Sequence, residues 1–290
     1  MTNDINASSG GTFSFGGTLP VNRMGFGAMQ LAGPGVFGPP ADPANSIAIL
    51  RRAVELGVDH IDTSDFYGPY IVNDLIRQAL HPYPENLVLV TKVGARRDDT
   101  GAWLPAMAPD DLRQAVHDNL GRLGLDVLDL VNLRVPGMEG PEPGPVAKEF
   151  EVLAELREQG LIKHLGLSNA TEEQLAEAES IAPVAQVQNL FNITARADDE
   201  MVDSTARRGV AYVPFFPLGS AFRPMPTEPL ADVARRHDAS AHQIALAWLL
   251  ARSPNLLLIP GTSSIAHLEQ NIAAAGIELT EEDMAELAAI

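Results

Sequence analysis

Cysteine is absent from the 290-residue chain, which excludes a disulfide framework and any thiolate-ligated metal centre. The same absence suits a reducing compartment, and a cytoplasmic location is the expectation. Basic residues are also few: 20 Lys and Arg stand against 38 Asp and Glu, a formal charge of −18. That balance disfavours polyanionic partners such as DNA, RNA or an acidic membrane surface. No stretch reaches the ~20 apolar residues that a membrane helix needs. Residues 1–10 are polar, lack the basic and apolar regions of a signal peptide, and are expected to have no fixed structure. The seven histidines are scattered without ligand spacing, so no metal is expected. Hydrophobic residues make up 46% of the chain, enough for a large core. No linker or change of composition divides it, which favours one domain over residues 1–290.

Short apolar runs alternate with helical patterns along most of the length. Strands are expected at residues 24–29, 59–62, 87–93, 127–133, 163–167, 185–188, 210–214 and 256–260. Helices are expected at about 45–56, 71–80, 109–123, 146–159, 171–181 and 199–207, with a longer broken stretch at 230–252 and a further helix after the last strand. Thr171 with Gln174 and Ser240 with Gln243 have capping-box spacing, and Pro109 suits a first helical position. Eight β units alternating with helices within ~250 residues argue a closed (β/α)8 TIM barrel, with a doubly wound open sheet as the alternative. Ahead of it, Thr12–Phe15 and Leu19–Val21 flank Gly16-Gly17, the signature of an N-terminal β-hairpin that serves as a lid or plug.

Gly33-Pro-Gly-Val-Phe-Gly38 matches the dinucleotide fingerprint GxGxxG. That pattern works only where its glycines open a helix directly after a strand, and here Pro39-Pro40 follow instead. The glycines and prolines are better read as a wall of a site.

A parallel barrel carries its chemistry at the C-terminal ends of its strands. The second strand ends in Asp62-Thr-Ser-Asp-Phe-Tyr67, a turn cluster followed by a tyrosine. The third ends in Lys92, a lysine closing a buried run, which needs an acid, and Asp62 on the adjacent strand is the natural one. The fourth ends in Arg134, a second cation, whose alternative is to turn aside to Glu139 or Glu142 in the following loop. Ser168, Asn169 and Gln188 follow at the fifth and sixth strands, as amide-binding groups or as ordinary turn residues. Phe215 and Phe216 lie past the seventh, where a ring can stack on a heterocycle or pack in the core. The eighth enters Gly261-Thr-Ser-Ser264 and a helix, a phosphate site that is equally a plain serine cap.

Taken together, Gly57–Gly68, Val90-Thr-Lys92, Leu123–Asp126, Gly166-Leu-Ser-Asn169, Pro217-Leu-Gly219 and Ile259–Ser264 resemble the aldo-keto reductase family over nearly the full chain. The resemblance implies Tyr67 as proton donor, Lys92 as its modulator and Asp62 as the partner of Lys92, with NADPH as cofactor. It places Ser168, Asn169 and Gln188 on the nicotinamide amide and Phe215 on its ring, with Pro217, Leu218 and Gly219 beside them. Gly261, Thr262, Ser264, His267, Gln270 and Asn271 then meet the adenosine end and its 2′-phosphate. Two positions depart from the family pattern: Arg134 stands where a histidine is usual, and His267 where an arginine is frequent. Arginine cannot shuttle a proton, so Arg134 is expected to act electrostatically.

Within the family, the run Gly25–Pro40, with Val131–Arg134 and Tyr212–Leu218, is most similar to bacterial pyridoxal reductases. This implies a small-molecule aldehyde as substrate, reduced to its alcohol by an enzyme that is a monomer or weak oligomer. A metal-dependent isomerase lacks its ligand cluster here. A non-catalytic NADPH-sensing subunit is disfavoured by the intact Asp62, Tyr67 and Lys92.

Overall fold

The computed structural model describes residues 5–137, 140–219 and 224–290. Parallel strands run in the order β11-β10-β9-β8-β5-β4-β3 around one curled sheet. These are β3 (Phe26–Gly27), β4 (His60–Asp62), β5 (Val88–Val93), β8 (Leu128–Arg134), β9 (Ile162–Ser168), β10 (Val184–Gln188) and β11 (Ala211–Tyr212). Strands β5, β8 and β9 are mostly buried, apart from positions at or near their ends such as Asp129, Arg134, Lys163 and His164, as strands covered on both faces by a barrel must be.

The expected eighth strand at 256–260 is reduced to bridges. Leu256 pairs with Tyr212 on one side and Leu258 with Met24 on the other, both parallel, and together these close the barrel. Its first partner is also shorter than the expected 24–29: after Gly27 the chain turns into a 3-10 segment, Ala28–Leu31. Gly27 allows the closure, because a Cβ there would stand 2.5 Å from the Ile259 carbonyl oxygen.

The hairpin of β1 (Thr12–Phe15) and β2 (Leu19–Asn22) is a plug rather than a lid. Phe15 and Val21 pack into the barrel interior with Val88, Val90, Leu130, Ala185, Ala211, Val213, Leu257 and Ile259. Phe15 meets His60, the first residue of β4, edge to face at 6.0 Å, so the hairpin closes the end opposite to the strand C-termini. Residues 1–10 were expected to lack structure, but Ala7–Gly10 form a capped 3-10 turn with Ala7 fully buried. The Ala7 amide donates to the Leu56 carbonyl at 2.8 Å, which ties the turn to the outer helix layer.

Around the sheet stand α1 (Pro43–Glu55), α2 (Ile71–Leu80), α3 (Pro109–Leu123), α4 (Ala147–Glu158), α5 (Glu172–Glu179), α6 (Asp199–Arg208), α7 (Ala231–Arg236), α8 (Ala241–Arg252) and α9 (Ile265–Ala273). Helices α2 and α3 have the expected bounds. Helix α3 has Pro109 and two aspartates in its first turn, Arg122 in its last, and Gly124 in the left-handed conformation as its stop. Both expected capping boxes form, on α5 and α8. The stretch 230–252 is broken between Arg236 and Ala241 into α7 and α8. Also beyond the expected elements are α10 (Glu281–Ala288), with its own capping box at Thr280, and a second hairpin of β6 (Ala95–Arg97) and β7 (Trp103–Pro105) beside the mouth.

Candidate active site

The register of the sheet brings Asp62 level with Val90 and Lys92 level with Asn132, and Arg134 faces Ser168 across β8 and β9. Alternation then points Asp62, Lys92, Arg134 and Ser168 into the barrel mouth. Lys92 Nζ donates to Asp62 Oδ1 at 2.5 Å and to the Thr63 carbonyl at 3.0 Å. Gln188 Nε2 donates to the other Asp62 oxygen at 2.8 Å. The Asp62 carboxylate is thus held on both oxygens, and its pair with Lys92 is sealed from water, with the residues 4% and 3% exposed. Lys92 Nζ lies 5.1 Å from the centre of the Tyr67 ring.

Burial raises the Tyr67 phenol above its usual value; the Lys92 charge pulls it back, Asp62 pushes it up, and Arg134 adds a smaller pull downward. Lys92 alone therefore does not bring the phenol below its ordinary range. For Lys92 burial acts to lower the ammonium, yet Asp62 and Tyr67 more than offset this and keep it firmly protonated.

The loop from Asp62 to Tyr67 rests on a buried polar network. Thr63 Oγ1 donates to Asn73 Oδ1 at 2.8 Å, while Asn73 Nδ2 and Thr91 Oγ1 donate to Asn119 Oδ1 at 2.9 and 2.6 Å. Neither asparagine was foreseen. Their signal is an amide inside an apolar helix stripe: Asn73 shares the buried face of α2 with Val72 and Ile76, and Asn119 that of α3 with Val116 and Leu120. An aromatic wall also went unforeseen. Phe66 packs edge to face on Tyr67 and on Trp103, both at 5.4 Å, and the Arg97 guanidinium lies 4.1 Å over Trp103. Arg97 also donates to the Val36 and Gly35 carbonyls, so the loop over 33–38 is a wall of the mouth, as expected.

Arg134 donates to the Val135 carbonyl and, at 3.0 Å, to that of Gly137. Among the described residues no carboxylate pairs with it; Glu142 does not, and Glu139 lies outside the described residues. Asn169, at φ 60°, gathers the same loop, its Nδ2 lying 3.1–3.2 Å from the carbonyls of Val135, Pro136, Gly137 and Gly140. With Asn169 Nδ2 and Gln188 Nε2 so engaged, the groups left for a ligand are Asn169 Oδ1, Gln188 Oε1 and the Ser168 hydroxyl. That set fits a carboxamide, whose NH2 donates twice and whose oxygen accepts once.

Phe215 is half-buried and packs on Phe216 at 5.4 Å; Pro217 is buried, and Leu218 and Gly219 border it, half-exposed. Past the last strand, Thr262 Oγ1 accepts from the Ser264 amide at 3.1 Å and Ser264 caps α9 through the His267 amide. Gly261, His267 and Gln270 are exposed, while Asn271 is buried.

The structure is thus a closed β/α barrel whose mouth holds a buried phenol beside a lysine–aspartate pair. A family model described as the Aldo/keto reductase family matches residues 23–290, and the chain belongs to that family. Pyridoxine 4-dehydrogenase of Escherichia coli (strain K12) is 57% identical over 281 residues, covering 96% of this chain and 98% of that protein. A crystal structure of a thermostable aldo-keto reductase with the inhibitor epalrestat has a TM-score of 0.81 at 30% identity, over 96% of this chain and 98% of that one. The aldo-keto reductase of Klebsiella pneumoniae in complex with NADPH has a TM-score of 0.78 at 24% identity, over 95% and 93%, a likeness of fold.

Proposed function

We propose that the chain reduces an aldehyde to its alcohol with NADPH, that pyridoxal is the substrate, and that the reverse reaction oxidises pyridoxine. The observation that carries this reading is the sealed Tyr67, Lys92, Asp62 and Gln188 cluster at the barrel mouth, with the 57% identity to pyridoxine 4-dehydrogenase as support for the substrate. Bound NADPH supplies the hydride. Ser168, Asn169 and Gln188 would hold its carboxamide, and Phe215 would lie with its ring, next to Pro217, Leu218 and Gly219. Gly261, Thr262, Ser264, His267, Gln270 and Asn271 take the adenosine end, where donors at a helix start favour a phosphate.

Tyr67 gives its proton to the carbonyl oxygen. A phenol held high by burial is fully protonated at neutral pH, which suits the reductive direction. Lys92 stabilises the phenolate left behind, and Asp62, pinned by Gln188, holds Lys92 in place. The acidic balance of −18 supports an enzyme that works free in the cytoplasm, as a monomer or weak oligomer.

The test is Tyr67→Phe, assayed by NADPH oxidation with pyridoxal. Activity should fall by roughly 10²–10⁴-fold, the usual contribution of a general acid, while NADPH affinity by fluorescence stays near that of the parent enzyme. Activity retained within about tenfold would rule out Tyr67 as the acid.

A further inference from the structure

Arg134 is more than the mechanism above requires. We propose that it selects carbonyl substrates bearing an ionised oxygen on the ring carbon next to the aldehyde, and that it binds that oxygen together with the carbonyl. The inference rests on the reductase reading and names the substrate class of the same site.

Position comes first. Arg134 lies in phase with Asn132, which faces Lys92, and directly opposite Ser168. It therefore stands on the rim between the Tyr67 acid and the groups that fit a carboxamide.

Free valence comes second. A guanidinium has five N–H donors; one is spent on the Val135 carbonyl and one on that of Gly137, which holds its plane. The rest find no carboxylate among the described residues. Lys92 cannot serve in its stead, because it is committed to Asp62 and to the Thr63 carbonyl, and its charge is already set against the Asp62 carboxylate. Among the described residues, Arg134 is thus a cation at the mouth with donors to spare. It is half-buried, where a charge without a partner is costly, so an anionic ligand group there gains more than it would in water.

Shape comes third. In a 2-hydroxyaryl aldehyde, the class to which pyridoxal belongs, the carbonyl oxygen and the neighbouring oxygen lie within hydrogen-bond distance of each other. A planar fork of parallel N–H bonds can meet both at once. A neutral imidazole at this position would offer one N–H and no fixed charge.

The experiment compares 2-hydroxybenzaldehyde with 4-hydroxybenzaldehyde, equal in size and both ionisable, on the full-length parent chain, Arg134→Gln and Arg134→Lys. The parent chain should prefer the 2-isomer in kcat/KM by about tenfold or more, as charge-assisted bidentate bonding implies. Arg134→Gln, whose amide can still reach the loop carbonyls, should bring that ratio close to one as both rates fall, and Arg134→Lys should lie between. Titration of bound 2-hydroxybenzaldehyde, followed by the absorbance of its phenolate, should show ionisation at lower pH in the parent chain than in Arg134→Gln. The same ratio in all three proteins, or no shift in the bound phenol, overturns the proposal. A parent chain that binds and ionises the ligand with Arg134 dependence but transfers no hydride to any aldehyde overturns the reductase reading and leaves the proposal standing. Should Arg134→Gln not fold, Arg134→Lys alone decides, since an unreduced ratio there, with an unshifted phenol, is equally fatal.

Discussion

Asp65, between Asp62 and Tyr67, should make the protein less stable as pH rises from 4 to 8, and Asp65→Asn should remove that dependence. Its side chain is 7% exposed, and its nearest donor is Asn73 Nδ2, at 3.4 Å from Oδ1. Burial and the charge of Asp118 push its carboxyl up to about 7; Asp74 adds to this, while Arg122 and Asn73 oppose it. The folded chain then holds the proton more tightly than the unfolded chain, whose carboxyl titrates at 3.8. The stability this provides is complete below the unfolded value and is lost as pH rises through about 7. The difference is about 3 pKa units, which at 1.36 kcal/mol each is about 4 kcal/mol. Asparagine has the same shape and no charge, so the stability difference between Asp65→Asn and the parent chain should grow by about that amount from pH 4 to pH 8. Urea unfolding at steps of pH measures it. Comparing the two proteins cancels groups of opposite sign such as Asp283, where burial alone would raise the carboxyl but hydrogen bonds from His237, Thr280 and Arg236 hold it far below its usual value. A difference constant to within about 1 kcal/mol across that range would mean that Asp65 ionises without penalty, and the reasoning fails.

NADPH should bind more tightly than NADH, because Gly261 to Ser264 and His267 present donors to a 2′-phosphate at the start of α9; equal affinities by fluorescence titration would place that phosphate elsewhere. Asn119→Ala should strand the buried Thr91 Oγ1, at about 1–3 kcal/mol, and leave Asn73 Nδ2 with only its long bond to Asp65. A lower melting temperature together with a lower kcat is expected, and kcat left unchanged would separate the network from the catalytic loop.

Much of the fold was legible because its signals are local. The apolar runs of β5 and β8 show themselves as buried strands, and Pro109 and Gly124 mark both ends of α3. Asp62 and Lys92 were legible as a pair because a lysine ending an apolar run needs an acid and adjacent strands supply one. What escaped depends on contacts between distant parts. The hairpin β6–β7 has strands of only three residues each, and Arg97 fastens it by stacking on Trp103 and reaching the carbonyls of Gly35 and Val36. The eighth strand is thinned to bridges, with Pro260 having no N–H to offer at its end, a fact of pairing rather than of hydropathy. Asn73 and Asn119 read alone as blemishes in amphipathic helices; only the abutment of α2 and α3 shows that they satisfy one another under the loop from Asp62 to Tyr67.

The charges at the mouth also explain why residue 134 carries weight beyond its modest direct pull on the phenol. Asp62 and Lys92 act on Tyr67 in opposite senses, so the pair contributes less field than either member. Arg134 reinforces Lys92 and, among the described residues, has no acid set against it. It therefore leaves the mouth with a net positive charge inside a protein of formal charge −18. Field from a cation at the rim of a low-dielectric barrel is focused into the opening, where it attracts anionic groups that the outer surface repels. An arginine can hold that field across the whole working pH range, since it does not lose its proton as a histidine does. A permanent cation at position 134 thus suits that place to holding negative charge rather than to shuttling protons.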